Sequence, residues 1–195
     1  RVMFPLQDSA GRVVGFTGRT LPEIAKEGEP KYLNSPETEI YHKGKMLYGF
    51  YQAKNAIREK KRVVLVEGQM DQISSFASGV GETVAVGGTG ITEDQIEMMA
   101  RLATKIYVSL DADDAGYAAI KRTVELAEKR GLGIKVVQIE GGKDPDEISR
   151  SSASAWKKMV EEAVDVYEFV IEKAIKKNGV SGPEEIGKVL AEAVP

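Results

Sequence analysis

The chain of 195 residues contains no cysteine and only one histidine. The absence of cysteine excludes disulfides and cysteine-ligated zinc within this chain, and it fits a reducing compartment such as the cytoplasm. With His42 as the only histidine, neither a histidine-rich metal site nor a histidine-based triad has the residues it needs. No apolar run approaches the roughly 20 residues of a membrane-spanning helix, so we expect no membrane partner.

Charge is unevenly distributed, although the net charge is only −3. Residues 1–62 carry 12 Lys and Arg against 7 Asp and Glu, whereas residues 63–195 carry 15 against 23. A basic segment joined to an acidic one is typical of an enzyme that binds a polyanion and uses metal ions, but such differences are also common in ordinary proteins. Arg1 opens directly on a strand-like segment, and we expect the chain to be a piece of a longer protein.

Alternating apolar patterns predict an α/β fold. Four β-rich runs at 63–67, 83–87, 105–110 and 134–139 alternate with helical patterns, one of which opens with the capping-box pair Thr92 and Gln95. This order predicts a mostly parallel four-stranded sheet with helices on both faces.

The flanking segments have different patterns. A β-hairpin is predicted over 2–17, an irregular stretch over 20–49 and a basic helix over about 49–61, whose charge run we read as a solvated face. An apolar stripe from Trp156 to Ala174 predicts helices that pack in the core. We therefore expect a partial basic subdomain at 1–62, the α/β domain at 63–150 and the start of a helical subdomain at 151–195.

Acidic residues cluster beyond three of the four predicted strands. The pairs are Glu67 with Asp71, Asp111 with Asp113, and Asp144 with Asp146. Parallel strands bring their carboxyl ends to one edge of the sheet, so these six side chains should lie close together. Carboxylates gathered there repel one another unless protons or cations offset them, and Mg²⁺ or Mn²⁺ prefers such oxygen ligands. Each pair alone is a weak signal, whereas their joint placement predicts a metal-dependent, phosphate-handling enzyme.

These acidic motifs resemble a known family. EGQMD (67–71), DADDAG (111–116) and DPDE (144–147) are similar to the TOPRIM domain of primases, topoisomerases and certain nucleases. Glu67, Asp111, Asp113 and Gly116 match its pattern of a Glu after the first strand and Asp-x-Asp-x-x-Gly after the third. RVMFPLQDSAGRVVGFTGR, PKYLNSPET and HKGKMLYG narrow the resemblance to bacterial DnaG-type DNA primases over most of residues 1–150. Gln69 and Ala112 depart from the family pattern, and neither removes a metal ligand.

The resemblance implies RNA primer synthesis on single-stranded DNA from ribonucleoside triphosphates, by two-metal nucleotidyl transfer that yields an RNA–DNA hybrid. It implies Mg²⁺ or Mn²⁺ as cofactor, with Glu67, Asp111 and Asp113 as catalytic metal ligands. The further residues that it implies are Asp144 and Asp146 as ligands of another ion, Asp71 as support, and Arg19, Lys31, Asn34 and Lys43 as contacts to nucleotide or DNA.

The resemblance also places the whole protein at replication forks in the bacterial nucleoid. There a zinc-bearing module would read the template and a carboxyl-terminal domain would bind the replicative helicase. Both are expected in parts of a primase outside this chain, so we expect the fragment alone to be a weak or inactive polymerase.

Alternative functions stay open on the residues alone. Another TOPRIM protein, such as a topoisomerase or a nuclease, would share the acidic cluster, but no feature marks the nucleophilic tyrosine that a topoisomerase needs. A haloacid-dehalogenase phosphatase also carries Asp-x-Asp after a strand, yet Ala115 stands where that family has Thr or Val. A non-catalytic DNA-binding TOPRIM module has no need for Glu67, Asp111 and Asp113 together.

Overall fold

The computed structural model describes residues 1–88, 90–109, 114–139 and 144–193. The strands are β1 (Val2–Gln7), β2 (Val13–Arg19), β3 (Tyr32–Asn34), β4 (Arg62–Val66), β5 (Thr83–Ala85), β6 (Lys105–Val108), β7 (Gly133–Val136) and β8 (Val164–Asp165). The helices are α1 (Phe50–Lys60), α2 (Gln69–Ala77), α3 (Glu93–Ala100), α4 (Asp114–Glu128), α5 (Pro145–Ser151), α6 (Ala153–Glu161), α7 (Val166–Asn178) and α8 (Pro183–Ala193). Single 3₁₀ turns lie at Pro22–Ile24 and Lys43–Lys45.

The amino-terminal segment forms a small antiparallel sheet of three strands in the order β1-β2-β3. The predicted hairpin is β1 paired with β2, but the prediction of an irregular 20–49 stretch is wrong at β3. A run of three residues is too short to show strand alternation, and pairing with β2 sets its extended backbone. Arg19 lies opposite Tyr32, so Arg19, Tyr32 and Asn34 share one face of this sheet.

The larger sheet has the strand order β5-β4-β6-β7-β8. Its first four strands are parallel, which confirms the predicted α/β fold, and all four end at the same edge. The two-residue strand β8 pairs antiparallel with β7 and adds a fifth strand that the sequence did not predict. The predicted domain boundaries at residues 62 and 150 stay a prediction.

Helices cover both faces of the parallel sheet, as predicted. On one face Val63, Leu65 and Ile106 pack among residues of α1, α3, α4 and α7. On the other face Val64 and Val66 pack among residues of α5 and α6, including the fully buried Trp156.

The carboxyl-terminal helices depart from the predicted stripe. The segment is divided between α6 and α7 by β8, and within the stripe Tyr167 and Ile171 are exposed rather than packed in the core. A helix that lies against the sheet needs only a narrow apolar face, so such residues at the edge of the stripe remain in solvent. None of the described helices is both long enough and apolar enough to cross a membrane.

Candidate metal and nucleotide site

One cavity of about 480 Å³ lies at the carboxyl edge of the parallel sheet, where the small sheet faces it. It is lined on one side by four carboxylates and on the other by cations and polar side chains: Glu67, Asp71, Asp144 and Asp146, and Arg19, Lys31, Lys43, Asn34 and Tyr32. Gly87 and Gly88 complete part of the wall, and both adopt positive φ angles. The cavity therefore brings together eight of the ten residues that the sequence proposes for the site, with Tyr32 beside them.

Asp71 holds the first acidic loop in place. After β4, Glu67 and Gly68 lead into α2, and the Asp71 Oδ2 accepts a hydrogen bond of 3.0 Å from the backbone N–H of Gly68. Burial, together with the negative charges of Asp144 and Asp146, raises the pKa of Asp71 to about 6, although the N–H donors of Gly68 and Asp146 oppose the shift. A carboxylate whose ionisation is this unfavourable marks a place where positive charge is favoured.

The same Asp71 carboxylate reaches the second acidic loop. Its Oδ1 accepts a hydrogen bond of 3.2 Å from the backbone N–H of Asp146, at the start of α5. Asp144 is the N-cap of α5, with Oδ1 accepting from the Glu147 N–H at 2.7 Å, and Pro145 is the first residue of that helix. The two acidic loops are thus fixed relative to each other through one side chain.

Ser74 was missed by sequence reasoning. Its hydroxyl donates to Oδ1 of Asp146, while Arg150 approaches Oδ2 at 3.3 Å. Both carboxylate oxygens of Asp146 are therefore held by the protein, which orients the group in the cavity wall. The only available signal was the position of Ser74 one turn after Asp71 on α2, and a serine in a helix is too common to stand out.

The cationic wall comes from the small sheet and the turn that follows it. The Arg19 guanidinium lies 5.8 Å from the centre of the Tyr32 ring. Burial raises the pKa of the Tyr32 phenol; Arg19 lowers it, and the charges of Asp71 and Asp146 raise it. This ring therefore lies within the electrostatic reach of both walls. Lys43 is fixed at the backbone, where its N–H donates to Glu37 at 2.8 Å.

Two predicted ligands, Asp111 and Asp113, lie outside the described residues. Within the described ranges no three Asp, Glu or His side chains converge closely enough to hold a metal ion. The donor set nevertheless fits a hard divalent cation, because the acidic groups that line the wall are carboxylates, whose oxygens such cations prefer. The described carboxylates of this wall that the sequence predicts as metal ligands are Glu67, Asp144 and Asp146.

The charge run from Lys54 to Arg62 departs from the prediction of a solvated face at two residues. Lys60 and Arg62 both bind the carboxylate of Glu82, which is fully buried, at 2.8–3.0 Å. Arg62 also pairs with Glu161 on α6. Since β5 begins just after Glu82, this network lies at the amino-terminal edge of the sheet, away from the cavity. These two cations are therefore paired within the fold and do not line the cavity.

Family models match most of the chain. Residues 1–54 match the model described as DNA primase catalytic core, N-terminal domain, and residues 64–149 match the model described as Toprim-like. Both matched segments line the cavity, because residues of the first provide its cations and residues of the second provide its carboxylates.

The chain is also similar to curated DNA primases and to solved structures of DnaG primase domains. The chain is 40% identical to a DNA primase of Clostridium acetobutylicum over 96% of its own length and 35% identical to that of Escherichia coli over 100%. It spans about a third of the length of these relatives, 31% and 34%.

Among solved structures, a DnaG primase catalytic domain bound to single-stranded DNA matches with a TM-score of 0.82 and 34% identity, over 100% of this chain and 63% of that one. The RNA polymerase domain of Mycobacterium tuberculosis DnaG in complex with double-stranded DNA matches with a TM-score of 0.83 and 29% identity, over 99% and 62%.

Proposed function

The chain belongs to the bacterial DnaG-type DNA primase family, and we propose that it forms the metal- and nucleotide-binding part of an enzyme that synthesises RNA primers on single-stranded DNA. The proposal rests on one observation: the same cavity has carboxylates on one wall and Arg19, Lys31 and Lys43 on the other. Polymerisation of nucleotides needs both walls, because the triphosphate is an anion that carboxylates alone would repel.

The acidic wall would hold Mg²⁺ or Mn²⁺ through Glu67, Asp111 and Asp113, with Asp144 and Asp146 at a further ion. When bound, such ions stabilise the negative charge that develops on the attacking and leaving oxygens of phosphoryl transfer. Asp71 supports this wall indirectly, since its two oxygens accept hydrogen bonds from the backbone N–H groups of Gly68 and Asp146.

The cationic wall would bind the phosphates. Arg19 and Lys31 come from the small sheet and its preceding loop, and Lys43 lies in the 3₁₀ turn, so three chain segments position three positive charges around one cavity. Asn34 offers an amide for hydrogen bonds to a sugar or a base, and the Tyr32 ring offers a face for stacking. Together they would orient a ribonucleoside triphosphate or the template backbone towards the acidic wall.

Several wider properties follow for the whole protein. The template is single-stranded DNA, and the product is an RNA–DNA hybrid. Zinc and the replicative helicase would be bound by other parts of the polypeptide, and the protein would work in the bacterial cytoplasm at replication forks.

Metal binding and polymerisation are tested separately. Titration of Mn²⁺ into the 195-residue chain should give saturable binding in a calorimeter, and Glu67→Gln and Asp111→Asn should each abolish it. Binding that stays weak and unchanged in both variants would contradict the metal site. In the full-length enzyme, Asp111→Asn should abolish ribonucleotide incorporation on a single-stranded template; loss of DNA cleavage instead would assign the protein to a nuclease branch.

A further inference from the structure

A second cavity, of about 460 Å³, lies outside the proposed active site. It is an open cleft bordered by the β1–β2 turn, the segment before α1, α1 itself and the end of α3. The two cavities share one structural element, the 3₁₀ turn Lys43–Lys45, because Lys43 lines the first and Lys45 lines the second.

The rim of the second cavity is cationic. Lys45, Lys54 and Arg58 line it, and among the described residues no carboxylate pairs with any of the three. Lys54 Nζ lies 4.1 Å above the Tyr51 ring, and Arg58 donates to the Asn55 side chain at 3.3 Å, so both positive charges remain available to an anion.

The carboxylates near this rim are already engaged. Asp8, which lines the cavity, binds Arg12 at 2.7 Å and accepts from the N–H groups of Ala10 and Arg12. These contacts lower the pKa of Asp8. Arg101 at the cavity edge is paired with Glu97 at 2.7 Å, so it adds little to the positive charge.

The floor of the same cavity is apolar. Met46, Leu47, Phe50, Met98 and Leu102 line it, and Leu47 and Phe50 belong to the main hydrophobic core. An apolar floor below a cationic rim suits a ligand with one flat apolar part and one strongly anionic part. Inorganic phosphate would use the rim alone and leave the floor in contact with water.

We propose that this cavity binds a free nucleotide, with its base against Met46, Phe50 and Met98 and its phosphates at Lys45, Lys54 and Arg58. The volume lies within the roughly 300–1,000 Å³ typical of small-molecule sites, and several chain segments border it. Because Asp8, the carboxylate among the described lining residues, is engaged by Arg12, binding requires no divalent cation, unlike binding at the acidic cavity.

Methionine methyl groups distinguish the two cavities in one experiment. The chain has six methionines, of which Met98 lines the second cavity, Met70 lines the acidic cavity and Met159 lies against the other core cluster. With the methyl groups ¹³C-labelled, ATP is titrated into the 195-residue chain in EDTA while the Met98, Met70 and Met159 signals are followed by NMR. We expect a saturable shift of Met98 while Met159 stays unchanged.

Variants then test the phosphate contacts. Lys45→Ala and Arg58→Ala should each weaken the ATP affinity read at Met98 by about tenfold, the effect of losing one charge-assisted hydrogen bond. Lys129→Ala, at an exposed lysine beyond the end of α4, should leave it unchanged, as should Lys31→Ala in the acidic cavity. A Met98 shift that rises linearly to millimolar ATP, or one that both rim variants leave unchanged, overturns the proposal.

Two further ligands test the nucleotide itself. Inorganic tripolyphosphate should bind about tenfold more weakly than ATP because it leaves the apolar floor uncovered. Equal affinity refutes the role assigned to the floor. A short oligothymidylate should give no saturable Met98 shift at the ATP concentrations used; a tighter response to the oligonucleotide assigns the cavity to a nucleic-acid strand and overturns the proposal.

Discussion

Replacing Glu82 with Gln should destabilise the protein far more than replacing Glu161, the second carboxylate that pairs with Arg62. The Glu82 side chain is completely buried, and it accepts hydrogen bonds from Lys60 at 2.8 and 3.0 Å and from Arg62 at 2.9 Å. Glu82→Gln keeps the shape of the side chain, but it removes the negative charge and turns one acceptor into a donor that faces a cation. Breaking a buried ion pair in this way costs about 3–5 kcal/mol.

The surroundings of Lys60 and Arg62 place the expected loss of stability near the lower end of this range. The Lys60 side chain is 40% exposed and can turn its ammonium into water, while Arg62 retains Glu161 at 2.5 and 2.8 Å. The hydrogen bonds of Glu161, together with Glu82, hold the pKa of the Arg62 guanidinium above its ordinary value. We therefore expect Glu82→Gln to lower the free energy of unfolding by about 3 kcal/mol. For a chain of this size, that corresponds to a decrease of about 6–12 °C in Tm.

Urea unfolding followed by circular dichroism measures this loss, with Glu161→Gln as the matched control. Glu161 is 64% exposed and forms a surface ion pair, so its replacement should cost at most about 1 kcal/mol. A Glu161→Gln loss equal to that of Glu82→Gln would refute the reasoning, as would a near-zero effect of Glu82→Gln. Mn²⁺ affinity should stay unchanged in both variants, because the network lies at the opposite edge of the sheet from the acidic cavity.

Three further predictions concern the acidic cavity. Burial raises the pKa of Asp71 from 3.8 to about 6, so the folded state gains a proton below pH 6 that the unfolded chain takes up only near pH 4. In EDTA, the free energy of unfolding relative to that of Asp71→Asn should therefore rise by about 1 kcal/mol as the pH falls from 7 to 5. Urea unfolding at the two pH values measures this rise, and its absence would contradict the prediction. Ser74→Ala frees one oxygen of Asp146 and should weaken Mn²⁺ binding about tenfold by calorimetry, whereas Ser154→Ala on α6 should not. Lys43→Ala should weaken single-stranded DNA binding and lower its salt slope by about 1, whereas unchanged binding in fluorescence anisotropy would remove Lys43 from the cationic wall.

Local patterns were enough to predict the parallel sheet and the edge that carries the acidic groups. Buried parallel strands are continuous apolar runs, and the helices between them show a different period, so both could be recognised along the chain. The capping box at Thr92 and Gln95 was also local, and its reciprocal hydrogen bonds are present. Once the strands were assigned, their common direction placed Glu67 and Asp144 at the same edge without any knowledge of tertiary structure.

The features that sequence reasoning missed depend on contacts between distant residues. β3 is a strand because β2 lies beside it, and β8 consists of two residues paired with β7. Ser74 meets Asp146, which lies 72 residues later, and Glu82 is buried because Lys60 and Arg62 reach it from the preceding helix and strand. A serine or a glutamate carries no local signal of such partners. The sequence therefore could not show which cations of the charge run from Lys54 to Arg62 pair with a buried carboxylate and which face solvent.

The acidic cavity and the Glu82 network show why the fold separates its charges between two edges. At the amino-terminal edge the buried carboxylate of Glu82 pairs with two cations, Lys60 and Arg62. At the carboxyl edge Asp71 has backbone N–H donors and, among the residues that the structure describes, no cationic partner, while Asp144 and Asp146 add negative charge nearby. Of these carboxylates, Asp146 pairs with Arg150 at 3.3 Å, and within the described ranges no cation pairs with Asp71 or Asp144. Because α2 and α5 instead hold them together through Asp71 and Ser74, the remaining repulsion can be relieved by an added cation, and the protein should become more stable when a divalent metal binds.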